Sequence, residues 1–95
     1  SYMNDNKKRI AILGSTGSIG TQALDVIAAH PDSIGVAVLT AQNNADLLIE
    51  QAAKHRPKTV VIANETLRDK VTTALAGLPI QVYAGDEALA AVVQG

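Results

Sequence analysis

Four short apolar segments recur along the chain, and a stretch with helical spacing follows each of them. The segments are RIAIL (9–13), IGVAVLT (34–40), TVVIA (59–63) and IQVYA (80–84). Their length and their content of β-branched residues are typical of buried strands. After the first segment, Ile19, Ala23 and Ile27 recur at intervals of four, which is the spacing of one helix face. The pattern therefore predicts four strand–helix units.

The alternation of strands and helices decides the fold class. Strands that alternate with helices pair in parallel and are joined by right-handed crossovers. The chain is therefore predicted to be an α/β protein, a Rossmann-like parallel sheet with flanking helices, truncated at about four βα units. Residues 1–7 are predicted to be a disordered tag and N-terminal tail. Residues 8–95 are predicted to form a partial nucleotide-binding domain.

Composition and charge narrow the classes of partner. The formal net charge is −1, the Lys and Arg residues are scattered, and Phe and Trp are absent, so the chain lacks the basic patch and the aromatic platforms of nucleic-acid binding. No apolar run approaches the roughly 20 residues that cross a bilayer. The chain also has no Cys, which fits a reducing compartment. These features predict a cytoplasmic protein with neither a nucleic-acid nor a membrane partner.

The first strand is followed by the glycine-rich segment GSTGSIG, residues 14–20. In a phosphate-binding turn, Gly14 would let the chain leave the strand sharply, and Gly20 would let the helix approach the sheet. A side chain at Gly17 would stand between the backbone and a bound diphosphate. The segment lacks the Lys of a P-loop, so it does not predict an NTPase. The alternative is a turn that needs glycine for packing alone.

Hydroxyl groups lie beside these glycines. Ser15, Thr16 and Ser18 are placed where their side chains are expected to reach phosphate oxygens. The backbone N–H groups at the start of the first helix would bind the same anion, because they are unpaired and the helix dipole favours negative charge there. The segment therefore predicts a site for the diphosphate of a dinucleotide.

The end of the second strand indicates which dinucleotide the site would bind. NAD-binding domains place Asp or Glu there to bind the ribose 2′-hydroxyl, whereas this chain has LTAQNN (39–44). Without an acid to repel a 2′-phosphate, NADP(H) is favoured. Gln42, Asn43 and Asn44 could donate amide N–H groups to that phosphate. Alternatively, Asn43 and Asn44 are only caps of the second helix, and the two roles are compatible.

The sequence shows no set of side chains spaced for catalysis. His30 and His55 occupy predicted helix ends, where a positive charge is favoured. The sequence has no plausible acid–base pair, nucleophile triad or metal cluster. From the residues alone, the chain is a nucleotide-binding domain without catalytic residues or metal ligands.

The motifs AILGSTGSIGTQALDVI, HPD, LTAQNN, LLIEQAAKHRP and VVIANE resemble the N-terminus of the 1-deoxy-D-xylulose 5-phosphate reductoisomerase family. The resemblance implies an NADPH-dependent oxidoreductase that isomerises and reduces its phosphosugar substrate to 2-C-methyl-D-erythritol 4-phosphate, in non-mevalonate isoprenoid biosynthesis. It also implies two sets of residues that bind NADPH. The phosphates of the cofactor would be lined by Thr16, Gly17, Ser18 and Ile19. The adenosine ribose phosphate would lie near Gln42, Asn43 and Asn44. Many family members have Gly-Lys-Asn where this chain has Gln42-Asn43-Asn44, so a positive charge is missing here.

Family enzymes are several times longer than this chain. The resemblance implies an N-terminal fragment, inactive by itself, whose parent enzyme binds a divalent metal (Mg or Mn) and the phosphosugar through residues outside this chain. Lacking a neighbour, the first strand is expected to be an exposed edge. We therefore expect a homodimer or a self-associating fragment that binds NADPH weakly.

Two other hypotheses fit the same residues. One is another NADP-dependent Rossmann enzyme, of the semialdehyde dehydrogenase or sugar epimerase type, because those enzymes share the glycine spacing. The other is a stand-alone module that senses nucleotides or binds coenzyme A, which would bind its ligand tightly at this length.

Overall fold

The computed structural model describes residues 7–94, and its elements follow the predicted alternation. They are β1 (Lys8–Ile12), α1 (Ser18–Ala28), β2 (Ile34–Ala41), α2 (Ala45–His55), β3 (Thr59–Ile62), a 3₁₀ turn (Glu65–Leu67), α3 (Arg68–Ala74), β4 (Gln81–Ala84) and α4 (Asp86–Gln94). Each strand lies within one residue of its predicted bounds. Residues 1–6 of the predicted tail lie outside the described range, so that part of the prediction remains untested.

The strands form one parallel sheet whose spatial order, β1-β2-β3-β4, is also their order in the chain. The α/β prediction is confirmed. The register of β1 on β2 shifts between Ile10 and Ala11, the one irregularity among the described strand pairs. The carboxyl ends of all four strands therefore meet at one edge of the sheet, which we call the carboxyl edge.

The hydrophobic core lies between one face of the sheet and helices α1, α2 and α3. Its strand residues include Leu39, Val60 and Ile62, which are fully buried, and helix residues such as Leu48 and Val71 pack on them. These side chains are small or branched aliphatics, which fill the space between a helix and a sheet without large rings. The other face is covered by α4, which contacts β3 and β4.

Strand β1 lies at the side of the sheet. Among the described strands it pairs with β2 alone, and Ile10 and Leu13 keep 39% and 48% of their surface exposed. The expected exposed edge is therefore present. A strand at the side of a sheet that carries exposed apolar side chains can pair with another chain.

Candidate nucleotide-binding site

A cleft of about 500 Å³ opens at the carboxyl edge of the sheet. The loop after β1, the end of β2 and helix α4 each contribute to its wall. The lining residues are Leu13, Gly14, Thr16, Gly17, Thr40, Ala41, Gln42, Leu89 and Val93. This is the edge at which parallel α/β sheets bind their ligands.

The three glycines of the loop have different reasons to be glycine. Gly14 has a φ of +70°, a conformation that other residues rarely adopt. A Cβ on Gly20 would lie 2.3 Å from the carbonyl oxygen of Gly14, so a larger residue cannot fit between α1 and the loop. A Cβ on Gly17 would lie 3.5 Å from that same oxygen, which is an ordinary contact, and the φ of Gly17 is −81°. Packing explains the first two glycines and leaves Gly17 unexplained.

Gly17 also marks the open end of helix α1. It is the N-cap residue, and no side chain caps the helix there. Its N–H donates to the carbonyl oxygen of Gly14 at 3.1 Å and so closes the turn, while Thr21 donates to the carbonyl oxygen of Gly17 at 2.9 Å. The backbone amides of Ser18 and Ile19 lie between these two bonds, in the first turn of the helix. They are the better candidates for anion donors, and Gly17 contributes open space.

The predicted phosphate contact of Ser15 is wrong. Its side chain is fully buried, and its Oγ donates to Gln51 Oε1 at 2.7 Å. The hydroxyl therefore points into the protein, under the loop. Thr16 lines the cleft and Ser18 is exposed at the start of α1, so their positions remain compatible with the predicted contacts.

The loop after β2 presents side-chain amides at the same edge. Asn44 caps α2, since its Oδ1 accepts from the N–H of Leu47 at 3.1 Å. The Oδ1 of Asn43 accepts from Asn64 Nδ2 at 3.0 Å. With both oxygens engaged, the NH₂ groups of Asn43 and Asn44 are the donors left for an anion. Capping and phosphate binding are therefore compatible.

The next acid along the chain from this loop is already paired. Asp46 lies in the first turn of α2, and its carboxylate is 2.8 Å from Lys70 Nζ. Lys70 therefore offsets a charge that would otherwise oppose a 2′-phosphate, although both side chains are well exposed and such a pair is weak in water.

Comparison with known proteins identifies the family. The family model for 1-deoxy-D-xylulose 5-phosphate reductoisomerase matches residues 10–95. The chain belongs to this reductoisomerase family. The reductoisomerase of Phocaeicola vulgatus is 59% identical over 88 residues, which are 93% of this chain and 23% of the relative. The reductoisomerase of Xanthomonas campestris is 45% identical over 87 residues, which are 90% of this chain and 22% of the relative. The chain thus spans about a quarter of the length of these relatives.

Solved reductoisomerases share the fold. The enzyme from Zymomonas mobilis in complex with NADPH superposes with a TM-score of 0.83 at 36% identity, over 86% of this chain and 22% of that one. A reductoisomerase in complex with NADPH, fosmidomycin and magnesium superposes with a TM-score of 0.79 at 30% identity, over 85% of this chain and 20% of that one. The family match favours the reductoisomerase hypothesis over the two alternatives raised by the sequence.

The structure brings part of the predicted reductoisomerase set together. Thr16, Gly17 and Gln42 line one cleft. Ser18 and Ile19 follow at the start of α1, where 83% of the Ile19 surface is exposed. Asn43 and Asn44 continue the same edge from Gln42 but do not line the cleft.

Sequence reasoning missed several residues that shape the site. Thr40 accepts a hydrogen bond from the N–H of Gly14 through its Oγ1 at 2.8 Å, and the signal was a polar residue inside an apolar strand. Asn64 holds Asn43 from the end of β3. Leu89 and Val93 reach the cleft from α4, and no local pattern marks that return of the chain.

The opposite edge of the sheet holds His55, in the last turn of α2. Burial lowers its pKa below the ordinary value of 6.5, and the neighbouring positive charge of Lys54 lowers the pKa further. Burial and Lys54 therefore act against a positive charge at this position, opposite to the preference expected at a helix end. In residues 7–94, no three His, Cys, Asp or Glu side chains gather where they could hold a metal ion.

The described helices are too short or too polar to cross a membrane.

Proposed function

We propose that this chain supplies the NADPH-binding part of a reductoisomerase that isomerises and reduces 1-deoxy-D-xylulose 5-phosphate to 2-C-methyl-D-erythritol 4-phosphate, a step of isoprenoid biosynthesis. One observation carries the proposal: Gly17, which no contact within residues 7–94 requires to be glycine, lies where the open N-terminus of α1 meets the cleft. A close-lying diphosphate explains both features, because it needs free amides and a backbone without Cβ. Reductoisomerases solved with NADPH share this fold.

The two loops would bind different phosphate groups of the cofactor. The amides of Ser18 and Ile19 and the hydroxyls of Thr16 and Ser18 would hold the diphosphate, and the bare backbone of Gly17 would let it approach. The NH₂ groups of Gln42, Asn43 and Asn44 would hold the 2′-phosphate beside the N-terminus of α2. When bound, NADPH supplies a hydride for the reduction.

The remaining chemistry belongs to the longer enzyme. The divalent metal, Mg or Mn, and the phosphosugar would be bound by residues outside this chain, and we assign no catalytic residue or metal ligand within it. The chain alone is therefore expected to be inactive as a reductoisomerase.

Assembly and location are parts of the same proposal. The exposed strand β1 supports pairing with a second copy, and thus a homodimer or a self-associating species. The low net charge and the scattered basic residues support a cytoplasmic protein that binds neither nucleic acid nor membranes.

The test is a titration of the full-length enzyme, in which this chain forms the N-terminal part, with NADPH and with NADH, followed by cofactor fluorescence. NADPH is expected to bind more tightly. In the variant Gly17→Val, the loss of two charge-assisted hydrogen bonds should weaken NADPH binding by about 10²- to 10⁴-fold. Gly77→Val is the matched control, because Gly77 lies in a loop between α3 and β4 where a Cβ meets nothing within 4 Å. Equal affinity in the wild type and a folded Gly17→Val variant would remove the loop from the site.

A further inference from the structure

Gln51 is an unusual residue for its position. It lies on the inner face of α2 among Leu48 and Ala52, and only 8% of its surface is exposed. A buried carboxamide loses its bonds to water and its side-chain freedom, so an apolar residue of similar size would serve the core better unless the amide makes specific hydrogen bonds. The sequence analysis gave Gln51 no role.

Both ends of the Gln51 amide bind the same residue of the glycine loop. Its Oε1 accepts from Ser15 Oγ at 2.7 Å, and its Nε2 donates to the carbonyl oxygen of Ser15 at 2.8 Å. Two bonds to one residue hold that residue in position and in orientation. Ser15 itself is fully buried, so water cannot replace either bond.

Thr40, in β2, also holds the loop through hydrogen bonds. The N–H of Ser15 donates to the carbonyl oxygen of Thr40, and the N–H of Gly14 donates to Thr40 Oγ1, both at 2.8 Å. Together, Gln51 and Thr40 bind the N–H of Gly14 and the N–H, the Oγ and the carbonyl oxygen of Ser15. Thr16, the first residue of the proposed diphosphate set, follows directly in the chain.

We propose that Gln51 is a positioning residue for cofactor binding: through Ser15, it holds the diphosphate loop at a set distance from helix α2. The proposal rests on NADPH binding as proposed above. Gln51 also connects this loop to the other end of the site, because it lies on the same helix as the cap residue Asn44, about two turns further along. One helix thus carries the 2′-phosphate end of the site at its N-terminus and holds the diphosphate loop from its middle.

If Gln51 positions the loop, its loss should change the affinities of two ligands, NADPH and adenosine 2′-phosphate, to different extents. NADPH spans both ends of the site, so its affinity depends on the distance between them. Adenosine 2′-phosphate binds at the 2′-phosphate end alone, so its affinity does not depend on that distance. A residue that only stabilises the fold would not separate the two affinities.

The experiment measures both affinities and the urea stability of three forms of the full-length enzyme: wild type, Gln51→Leu and Leu48→Val. Gln51→Leu removes both bonds to Ser15 at similar volume, and NADPH is expected to bind roughly 10- to 100-fold more weakly. Its affinity for adenosine 2′-phosphate should stay within about twofold of the wild type, because that ligand does not reach the loop. Leu48→Val is the matched control, since it weakens the core of the same helix without touching the loop, and it should leave both affinities unchanged.

A second variant covers the case in which Gln51→Leu does not fold. Ser15→Ala removes the Oγ bond to Gln51, together with the longer 3.2 Å contact of Oγ with the carbonyl oxygen of Thr40, and leaves the bond from Gln51 Nε2 in place. It should weaken NADPH binding roughly 3- to 10-fold with adenosine 2′-phosphate unaffected. In the double variant, Ser15→Ala should add little to Gln51→Leu, since the two side chains share one bond.

The outcomes separate the two proposals. A wild-type affinity for NADPH in folded Gln51→Leu or Ser15→Ala overturns the role of Gln51 alone. An equal loss for both ligands, or the same loss in Leu48→Val, also overturns it and leaves a purely structural residue. Failure of the unmodified full-length enzyme to bind NADPH overturns the proposed function, and this inference with it.

Discussion

The loops that follow β1 and β2 meet at one edge of the sheet but are built in different ways. The first is held by buried bonds from Thr40 and Gln51 and offers backbone amides at the start of α1. The second offers three exposed side chains, Gln42, Asn43 and Asn44. A backbone site tolerates few substitutions near it, because its shape depends on glycine and on packing. A side-chain site can change one residue at a time without loss of the fold.

This difference matches the two parts of the proposed ligand. Every dinucleotide has a diphosphate, and a rigid backbone turn suits a group that does not vary. The 2′-phosphate distinguishes NADPH from NADH, and exposed side chains suit a group on which specificity depends. The Asn at position 43, where the family resemblance implies Lys in many members, would be a change of this kind.

The largest effect is expected from Gly20→Ala. The new Cβ would lie 2.3 Å from the Gly14 carbonyl oxygen and 2.7 Å from Ser15 Cα, so the helix or the loop must move. We expect the free energy of unfolding to fall by about 2–3 kcal/mol in urea denaturation. Gly17→Ala is the control: its Cβ makes an ordinary contact, so stability should change by about 0.5 kcal/mol or less while NADPH binding weakens. Equal stability of the two variants would contradict the different roles given to these glycines.

An intermediate effect is expected in the second loop. Asn44→Ala removes the cap of α2 and should cost about 1 kcal/mol of stability. Asn44→Asp keeps an oxygen for the N–H of Leu47, so stability should be retained, but its negative charge would repel a 2′-phosphate. Titration with both cofactors should then show weaker NADPH binding, while NADH binding is unchanged or stronger, because a carboxylate can accept from the ribose 2′-hydroxyl. If Asn44→Asp bound NADPH as the wild type does, the 2′-phosphate would have to lie elsewhere.

The smallest effect concerns His55, which lies at the opposite edge from both loops. Its folded-state pKa is lowered below 6.5, first by burial and then by Lys54. The unfolded chain therefore takes up the proton first, so the contribution of His55 to stability is complete above pH 6.5 and is lost as the pH falls through the folded pKa. Urea midpoints at about pH 7.5 and 5.5 should differ more in the wild type than in His55→Gln. Equal differences would show that His55 does not titrate in this way.

Local patterns were sufficient to predict the elements and the fold class. The apolar segments and the spacing of Ile19, Ala23 and Ile27 depend on neighbours in the chain, and the glycines of the loop depend on local backbone geometry. The cap of α2 by Asn44 is local as well. These features could be predicted because their causes lie within a few residues.

Features that depend on distant contacts were not predicted or were predicted wrongly. Ser15 looks like an exposed hydroxyl in a polar loop, and only the approach of Gln51 from α2 shows that it is buried. The lowered pKa of His55 depends on burial by packing around it, which its place at a helix end does not reveal. The approach of α4 to the cleft is equally invisible in the residues 86–94.

The order of the strands in the sheet also bears on how the protein is made. Because each strand pairs with the one before it in the chain, every pairing joins neighbours separated by one helix. Compared with a sheet whose neighbouring strands are distant in the chain, this order lowers the sequence separation of the strand contacts, which favours faster folding. A nascent chain could add its βα units one after another as they leave the ribosome, with each new strand docking on a surface that is already formed.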